Sequence, residues 1–295
     1  MSARMISPLR FVCFNIRMET NEPDPADNWS NRRDGVAAKL ASSGADIIGL
    51  QEVLPEQLSF LAKTLGPLGY QHVGTGRGID GDDEASPIFF KRDVFELRGS
   101  QQRWLSDTPS VPGSRLEGAG CPRVVTAALL NVKAYTKDVF VFCCHLDHHG
   151  MESAARRFSN RLPIQARQAE IMLEQIDHFC VSPSAPRIVL GDFNSWRGAG
   201  AHAVLSERGY KDASVASGEL DDTPTFTGFR SGNIVRRVME RLTSAHIDWI
   251  FASGGVALSN YRVDPSVYTA TDGTHRNLSD HKMIMSDVSF DAIEG

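Results

Sequence analysis

The chain has 295 residues, 41% of them hydrophobic, and a net charge of −5. That composition supports an ordinary aqueous core, and no run approaches the roughly 18 uninterrupted apolar residues of a membrane-spanning helix. A negative chain is a poor non-specific partner for nucleic acid, because such binding draws on lysines and arginines displacing counterions, although carboxylates gathered around a cation add to the same charge.

Met1 to Arg10 has no sustained apolar stretch or small-residue cleavage site, so a cytoplasmic location is expected. Arg10 to Ile16 reads as a buried strand, Asn31 to Ser42 as an amphipathic helix opened by Asn28 or Ser30, and Ala45 to Leu50 as a second buried strand. Gly74 to Glu84 is a Gly- and Asp-rich loop. Pro87 to Phe90 and Phe95 to Leu97 predict paired strands about a turn at Lys91 to Asp93. Val124 to Ala134 and Asp138 to His145 flank a turn at Tyr135 to Lys137. Arg167 to Phe179 carries helical apolar spacing at Ile171, Leu173, Ile176 and Phe179. Arg187 to Leu190, Ala245 to Phe251 and Lys282 to Val288 supply later strands, while Ser106 to Pro122, His149 to Pro163 and Ser214 to Arg241 read as loops. With no repeat and no linker, one mixed α/β domain over 8–292 is expected.

The cysteines, Cys13, Cys121, Cys143, Cys144 and Cys180, are odd in number and lack C-x-x-C spacing, so they read as buried thiols, with Cys143 and Cys144 on opposite strand faces.

Polar groups recur where apolar strands end: Asn15, Gln51-Glu52, His145 and Asp192-x-Asn194. A carboxylate directly after a buried strand lies at the sheet rim, where open α/β sheets place their ligands. Glu52, with Asn15 and Gln51 as companions, suits a hard cation such as Mg²⁺, which takes one or two carboxylates and keeps waters for exchange with phosphate oxygens. Asp192 and Asn194, two apart, project to one side if extended, or form an Asx turn. Asp248 lies within an apolar strand and needs a partner; His281 in Ser279-Asp280-His281 supplies one. His145-x-Asp147 with a distant histidine is also the ligand pattern of non-haem iron oxygenases, and clustered histidines suit Zn²⁺.

Taken in order, Phe14-Asn15-Ile16-Arg17, Leu50-Gln51-Glu52, His145-x-Asp147-His148, Gly191-Asp192-Phe193-Asn194, Ile247-Asp248-Trp249-Ile250-Phe251 and Ser279-Asp280-His281 resemble the endonuclease/exonuclease/phosphatase superfamily across nearly the whole chain. The resemblance demotes the oxygenase reading. It implies a DNase I-like four-layer α/β/β/α sandwich of two mixed β-sheets, and a hydrolase of phosphate esters dependent on Mg²⁺, with Mn²⁺ as a substitute. Carried over, Glu52, Asn15 and Asp280 hold the metal, Asp192 and Asn194 align water and a phosphate oxygen, and His281, oriented by Asp248, acts as base or transition-state stabiliser. His145 donates on the other side. Arg123, Asn15 and Asn194 are expected at the substrate phosphate.

Ser86-Pro87-Ile88-Phe89, Trp104-Leu105-Ser106 and Arg123 are similar to a microbial and fungal subset whose usual pattern is Asn-Thr-His-Phe-Asp-His; Cys143-Cys144-His145-Leu146-Asp147-His148 stands in its place. The resemblance fixes reaction type better than substrate. The leading expectation is a phosphodiesterase or nuclease acting on a short or single-stranded nucleic acid or a nucleotide-like substrate: Arg156, Arg157, Arg161 and Arg167 can line a short track, against the acidic loop with Asp80, Asp82, Asp83 and Glu84. Phosphomonoester or phospholipid head-group hydrolysis, or a binding module that has lost catalysis, are the alternatives.

Overall fold

In the computed structural model the described residues are 7–134, 137–148, 163–180, 182, 184–216, 218, 220–229, 234–269 and 273–290. The first strand, Leu9–Asn15 (β1), shows why the sequence alternates so little. Phe11 and Cys13 enter one core and Val12 and Phe14 another, so both faces are covered. The helix Trp29–Ser42 (α1) crosses over to Ile47–Gln51 (β2), which pairs parallel with β1, the β-α-β start expected. Asn28 precedes that helix without a side-chain cap; its Oδ1 accepts from Glu22 N at 2.9 Å instead.

After β2 come Pro55–Leu65 (α2), Tyr70–Val73 (β3), Ile88–Lys91 (β4), Phe95–Trp104 (β5), Val124–Val132 (β6) and Lys137–His145 (β7). Then follow Ile164–Phe179 (α3), Arg187–Asp192 (β8), Gly200–Glu207 (α4), Lys211–Asp212 (β9), Ala213–Ala216 (α5) and Ile234–Leu242 (α6). Asp248–Ser253 (β10), Val256–Val263 (β11), Val267–Thr269 (β12), His275–Asn277 (β13) and Ile284–Phe290 (β14) complete the order. One six-stranded sheet runs β11-β14-β1-β2-β4-β3, the other β5-β6-β7-β8-β10-β9, and β12 pairs with β13. Parallel and antiparallel pairs occur in both six-stranded sheets.

Three apolar layers cement a four-layer α/β/β/α sandwich. Phe11, Ile47 and Ile284 meet Val141, Leu190 and Ile250 between the sheets. Val36 and Leu40 of α1 and Leu61 and Leu65 of α2 cover the outer face of the first sheet, and Met172 and Ile176 of α3 with Leu205 of α4 cover the second. Cys143 faces the inter-sheet core and Cys144 the helix side, as the strand period requires, and all five cysteines are free thiols. No helix of the described residues is long and apolar enough to cross a membrane.

Two expectations need correction. The strands before and after Lys91 do not form a hairpin: β4 pairs with β2 and β3, whereas β5 opens the other sheet against β6. Phe90 and Phe95 both enter the inter-sheet core from opposite sides, which in sequence mimics hairpin patterning. Likewise Ser214 to Arg241 is not all loop, since it contains most of α5 and α6. Residues 135–136 of the expected turn at Tyr135 to Lys137, and 149–162 of the expected loop at His149 to Pro163, lie outside the described residues.

The sheets approach closely at Gly49 in β2. A Cβ there would stand 2.9 Å from Leu190 Cδ1 and 3.1 Å from Cys143 Sγ of the facing sheet. Gly49→Ala is therefore expected to destabilise by about 1–3 kcal/mol through overpacking, measured as a lower urea midpoint; an unchanged midpoint would show that the sheets part freely at this level.

Candidate active site

Strand register delivers the site. Asn15 ends β1 opposite Gln51, His145 ends β7 opposite Asp192, and Asp192 ends β8 opposite Asp248 at the start of antiparallel β10. The polar ends of both sheets thus lie along one edge of the sandwich. Asn15 joins them: its Nδ2 donates to Glu52 Oε1 and to Asp192 Oδ2, each at 3.0 Å. One amide spends both hydrogens on two carboxylates from different sheets, which fixes their separation.

Gln51 does not join this rim. Its Nε2 faces Cys143 Sγ at 3.2 Å inside the inter-sheet core, because period-two alternation turns it away from the groups that follow it. Glu52 sits just past the strand at φ +60°, Arg17 at φ +59° and Asn194 at φ +46°. Left-handed backbone in residues with a Cβ costs roughly 1–3 kcal/mol each and persists where the surroundings enforce it, commonly at functional sites. At Glu52 the enforcement is visible: Met18 N donates to Oε2 at 3.1 Å, beside the Asn15 bond to Oε1.

Asp192 lies between two imidazoles. His281 Nε2 is 3.6 Å and His145 Nε2 3.5 Å from its Oδ2, while its Oδ1 accepts from Asn194 N at 2.9 Å. That last bond is an Asx turn, so Asp192 and Asn194 are not the extended pair drawn from spacing. The turn still serves the site, aiming Asn194 Nδ2 at His145 Nε2 (3.2 Å) and Leu146 O (2.9 Å). The close approach is backed by Gly191, where a Cβ would stand 2.6 Å from Cys144 O of the neighbouring strand.

The expected Asp248–His281 pair forms, with Nδ1 to Oδ2 at 2.8 Å, both groups buried. Its setting is built from the backbone outward: Thr225 Oγ1 accepts from Asp248 N at 3.1 Å, and Ser279 Oγ donates to Asn15 O at 2.7 Å, anchoring the turn before His281. Arg32, fully buried on α1, ties the same parts together. It donates to Ile16 O (2.6 Å), Arg17 O (2.9 Å) and Leu278 O (2.8 Å). Asp280 faces Arg17 Nε at 3.9 Å, and Arg17 also stands 3.7 Å from Glu52 Oε2.

A second carboxylate–imidazole pair was not expected from the sequence. Glu84, read as part of an acidic loop, turns inward to stand 3.6 Å from His145 Nδ1. Arg77 holds it there through two bonds of 3.0 and 2.7 Å. Arg123 is buried beside it, with Nη1 3.9 Å from Glu84 Oε2 and Nη2 3.3 Å from His148 Nδ1; its Nε and Nη1 have no hydrogen-bond partner. Asp147 Oδ2 accepts from Gly120 N at 2.8 Å, and among the described residues no grouping of three metal-ligating side chains contains His145 and Asp147, the pair of the oxygenase pattern. His246 stacks on Trp249 and meets Tyr261 Oη at 3.1 Å, behind the site.

The electrostatics follow from burial and from who faces whom. Burial works to raise Glu52, but the fields of His145 and Arg17 and the Asn15 amide more than offset it, and the carboxyl is lowered to about 2. Burial and the Asp248 charge raise Asp192. Burial, helped by the charge of Glu52, raises Asp280. For His281, burial opposes the charge, yet Asp248 and Asp192 together push it up to about 10. Burial and the neighbouring charge of Glu52 raise Asp280, a crowding of carboxylates that fits a bound cation beside Glu52. Ligand atoms of Asp192, Asp248 and His281 all lie within 4.8 Å of one another, a divalent-metal grouping among the described residues.

The model of the endonuclease/exonuclease/phosphatase family matches residues 12–281. The chain belongs to that family. Among solved structures, a family protein from Bacteroides vulgatus shares 26% identity at a TM-score of 0.80, covering 97% of this chain and 100% of its own. The mannosyl-6-phosphatase of Bacteroides thetaiotaomicron VPI-5482 also has 26% identity and a TM-score of 0.80, covering 96% and 100%. The human nocturnin catalytic domain, with bound sulfate, shares the fold at 19% identity and a TM-score of 0.68, covering 96% and 94%. Comparison with curated proteins returned no match. With the family established and the acidic–histidine cluster in place, this edge of the sandwich is the active site of a metal-dependent phosphoester hydrolase.

Proposed function

We propose that residues 8–292 act as one Mg²⁺-dependent phosphomonoesterase unit whose substrate is a compact phosphate ester, such as a sugar phosphate. The observation that carries the reading is the meeting of two imidazole–carboxylate pairs on Asp192, beside a buried arginine with two nitrogens unbonded. Asp248 Oδ2 is already held by His281 Nδ1, so the cation is better served by the opposite wall, with Glu52 as principal ligand and Asn15 and Asp280 beside it. This is a hard oxygen set suited to Mg²⁺ or Mn²⁺. When bound there, the metal supplies charge neutralisation at a phosphate oxygen.

The protein's own groups do the rest. Asp192, oriented by Asn15 and Asn194, positions a water and accepts its proton. His281, cationic at neutral pH through Asp248 and Asp192, stabilises the negative charge that grows on the phosphoryl group. Asn194 Nδ2 stands 3.2 Å from His145 Nε2 and Glu84 3.6 Å from its Nδ1, so the imidazole ring is oriented between them. Arg123 offers its free nitrogens to a phosphate oxygen.

Compactness of the substrate is supported by the mannosyl-6-phosphatase likeness and by the occupation of Arg167. Of the arginines that favoured a nucleic-acid track, Arg156, Arg157 and Arg161 lie outside the described residues. Arg167 is occupied by Glu170 at 3.1 Å and Asp107 at 3.6 Å. The test is a panel of hexose phosphates, phospholipid head groups and single-stranded oligonucleotides, assayed with Mg²⁺ and with chelator. Hexose phosphates should be released of phosphate at least tenfold faster than oligonucleotides are cut, and chelator should abolish turnover. Faster cutting of oligonucleotides would return the substrate to nucleic acid, and chelator-resistant turnover would remove the metal from the mechanism.

A further inference from the structure

The helix α6, Ile234–Leu242, is built unlike the others. Its large apolar residues Ile234, Val235, Val238, Met239 and Leu242 range from 51% exposed at Val238 to 76% at Ile234. At 3.6 residues per turn these positions share one arc of roughly 140°. Positions 236 and 241, both arginine, border that arc on its two sides, and position 237 is arginine as well. Glu240 falls on the opposite side and packs inward, with its Cγ 2.6 Å from where a Cβ on Gly228 would stand. The chain after the helix is pinned by Ser244 Oγ donating to Glu240 O at 2.9 Å. The helix is therefore seated by its polar back, and its apolar stripe faces solvent. Leaving such a contiguous stripe in water is unfavourable, and it marks an interaction surface.

We infer that α6 lies in the interface of an anionic lipid membrane, docking the enzyme there by its apolar stripe and flanking arginines. Charge complementarity selects this occupant. Three arginines against one inward-packed glutamate make the helix locally basic on a chain whose net charge is −5. An apolar stripe edged by arginines is the arrangement by which interfacial helices enter the head-group region while the charges meet anionic lipids. A second copy of the chain fits less well. A nine-residue helix offers well under the roughly 800 Å² per partner of a stable interface.

The chain on either side of the helix reaches the active site. Phe226, on the segment entering the helix, forms bridges with both Ala245 and His281, and its ring lies 5.1 Å from that of His281.

The experiment is sedimentation of the purified chain with vesicles of phosphatidylcholine alone and of phosphatidylcholine with phosphatidylserine. The wild type is expected to bind the phosphatidylserine vesicles at least tenfold more tightly and to release at high salt. The double variant Val238→Glu, Met239→Glu should lose at least tenfold in that binding, with its melting temperature and its turnover of soluble substrate unchanged. Absence of wild-type binding, or binding that the double variant keeps, overturns the inference. A concentration-dependent dimer in sedimentation velocity, dissolved by the same substitutions, would overturn it in favour of a second copy. Vesicle binding is read without catalysis, so its failure is separable from failure of the proposed reaction.

Discussion

Asp192→Asn is expected to lower turnover by about 10³-fold or more, while the melting temperature at neutral pH stays level or rises. Asparagine keeps the shape of the side chain, and its oxygen still accepts from Asn194 N, as Asp192 Oδ1 does at 2.9 Å. What it loses is the charge and the capacity to take a proton. The stability half follows from the direction of the Asp192 shift. Burial and the neighbouring Asp248 raise this carboxyl, so the folded state holds its ionised form at a cost, and that cost applies at every pH above the raised value. Removing the charge removes the cost, the usual signature of a group kept for function at the expense of stability. Turnover under saturating Mg²⁺, paired with a thermal melt, reads both halves. A variant with wild-type turnover would displace Asp192 from the reaction, and one that is inactive because it has unfolded would show that the carboxylate is structural.

How much of this could be read from the sequence depended on the distance over which each signal acts. Asp192, His145 and Asn15 were legible because each ends an apolar strand, and strand ends are marked locally by where hydrophobicity stops. The Asp248–His281 pair, 33 residues apart, was legible for a different reason: a carboxylate inside an apolar strand demands a partner. Glu84 gave no such signal. It lies among Asp80, Asp82 and Asp83 in a loop whose polarity argues for exposure, and only the Arg77 clamp and the path back to His145 turn it inward. Gln51 misled in the opposite sense, since adjacency to Glu52 conceals that successive residues of a strand face opposite ways. The same averaging hid α6. Ile234, Val235, Val238, Met239 and Leu242 do follow a helical period, but the arginines between them made the stretch read as mixed polar loop. The β4–β5 error has another origin: two strands that flank one core from different sheets carry the same apolar pattern as a hairpin, and the sequence holds no local mark of which sheet each joins.

His281→Ala is expected to reduce turnover by about 10²–10⁴-fold, and the pH profile will show in which protonation state the residue works. Burial disfavours its cation, but Asp248 at 2.8 Å and Asp192 at 3.6 Å outweigh burial and push the imidazole up to about 10. The cation is thus present throughout the neutral range and is lost as pH rises through about 10. If it stabilises phosphoryl charge, the wild-type rate falls along that alkaline limb, and the limb disappears in His281→Ala. Were His281 instead a base, the rate would climb with pH over the same interval. The same shift has a stability counterpart. A histidine raised in the fold contributes stability that is fully present below its unfolded value, about 6.5, and is lost as pH rises through about 10. Asp248→Asn separates the pair's roles: without that carboxylate the alkaline limb should move at least one pH unit lower, because the largest stabiliser of the cation is gone. A limb that stays in place in Asp248→Asn would assign it to a group other than His281, and the electrostatic role would pass to that group.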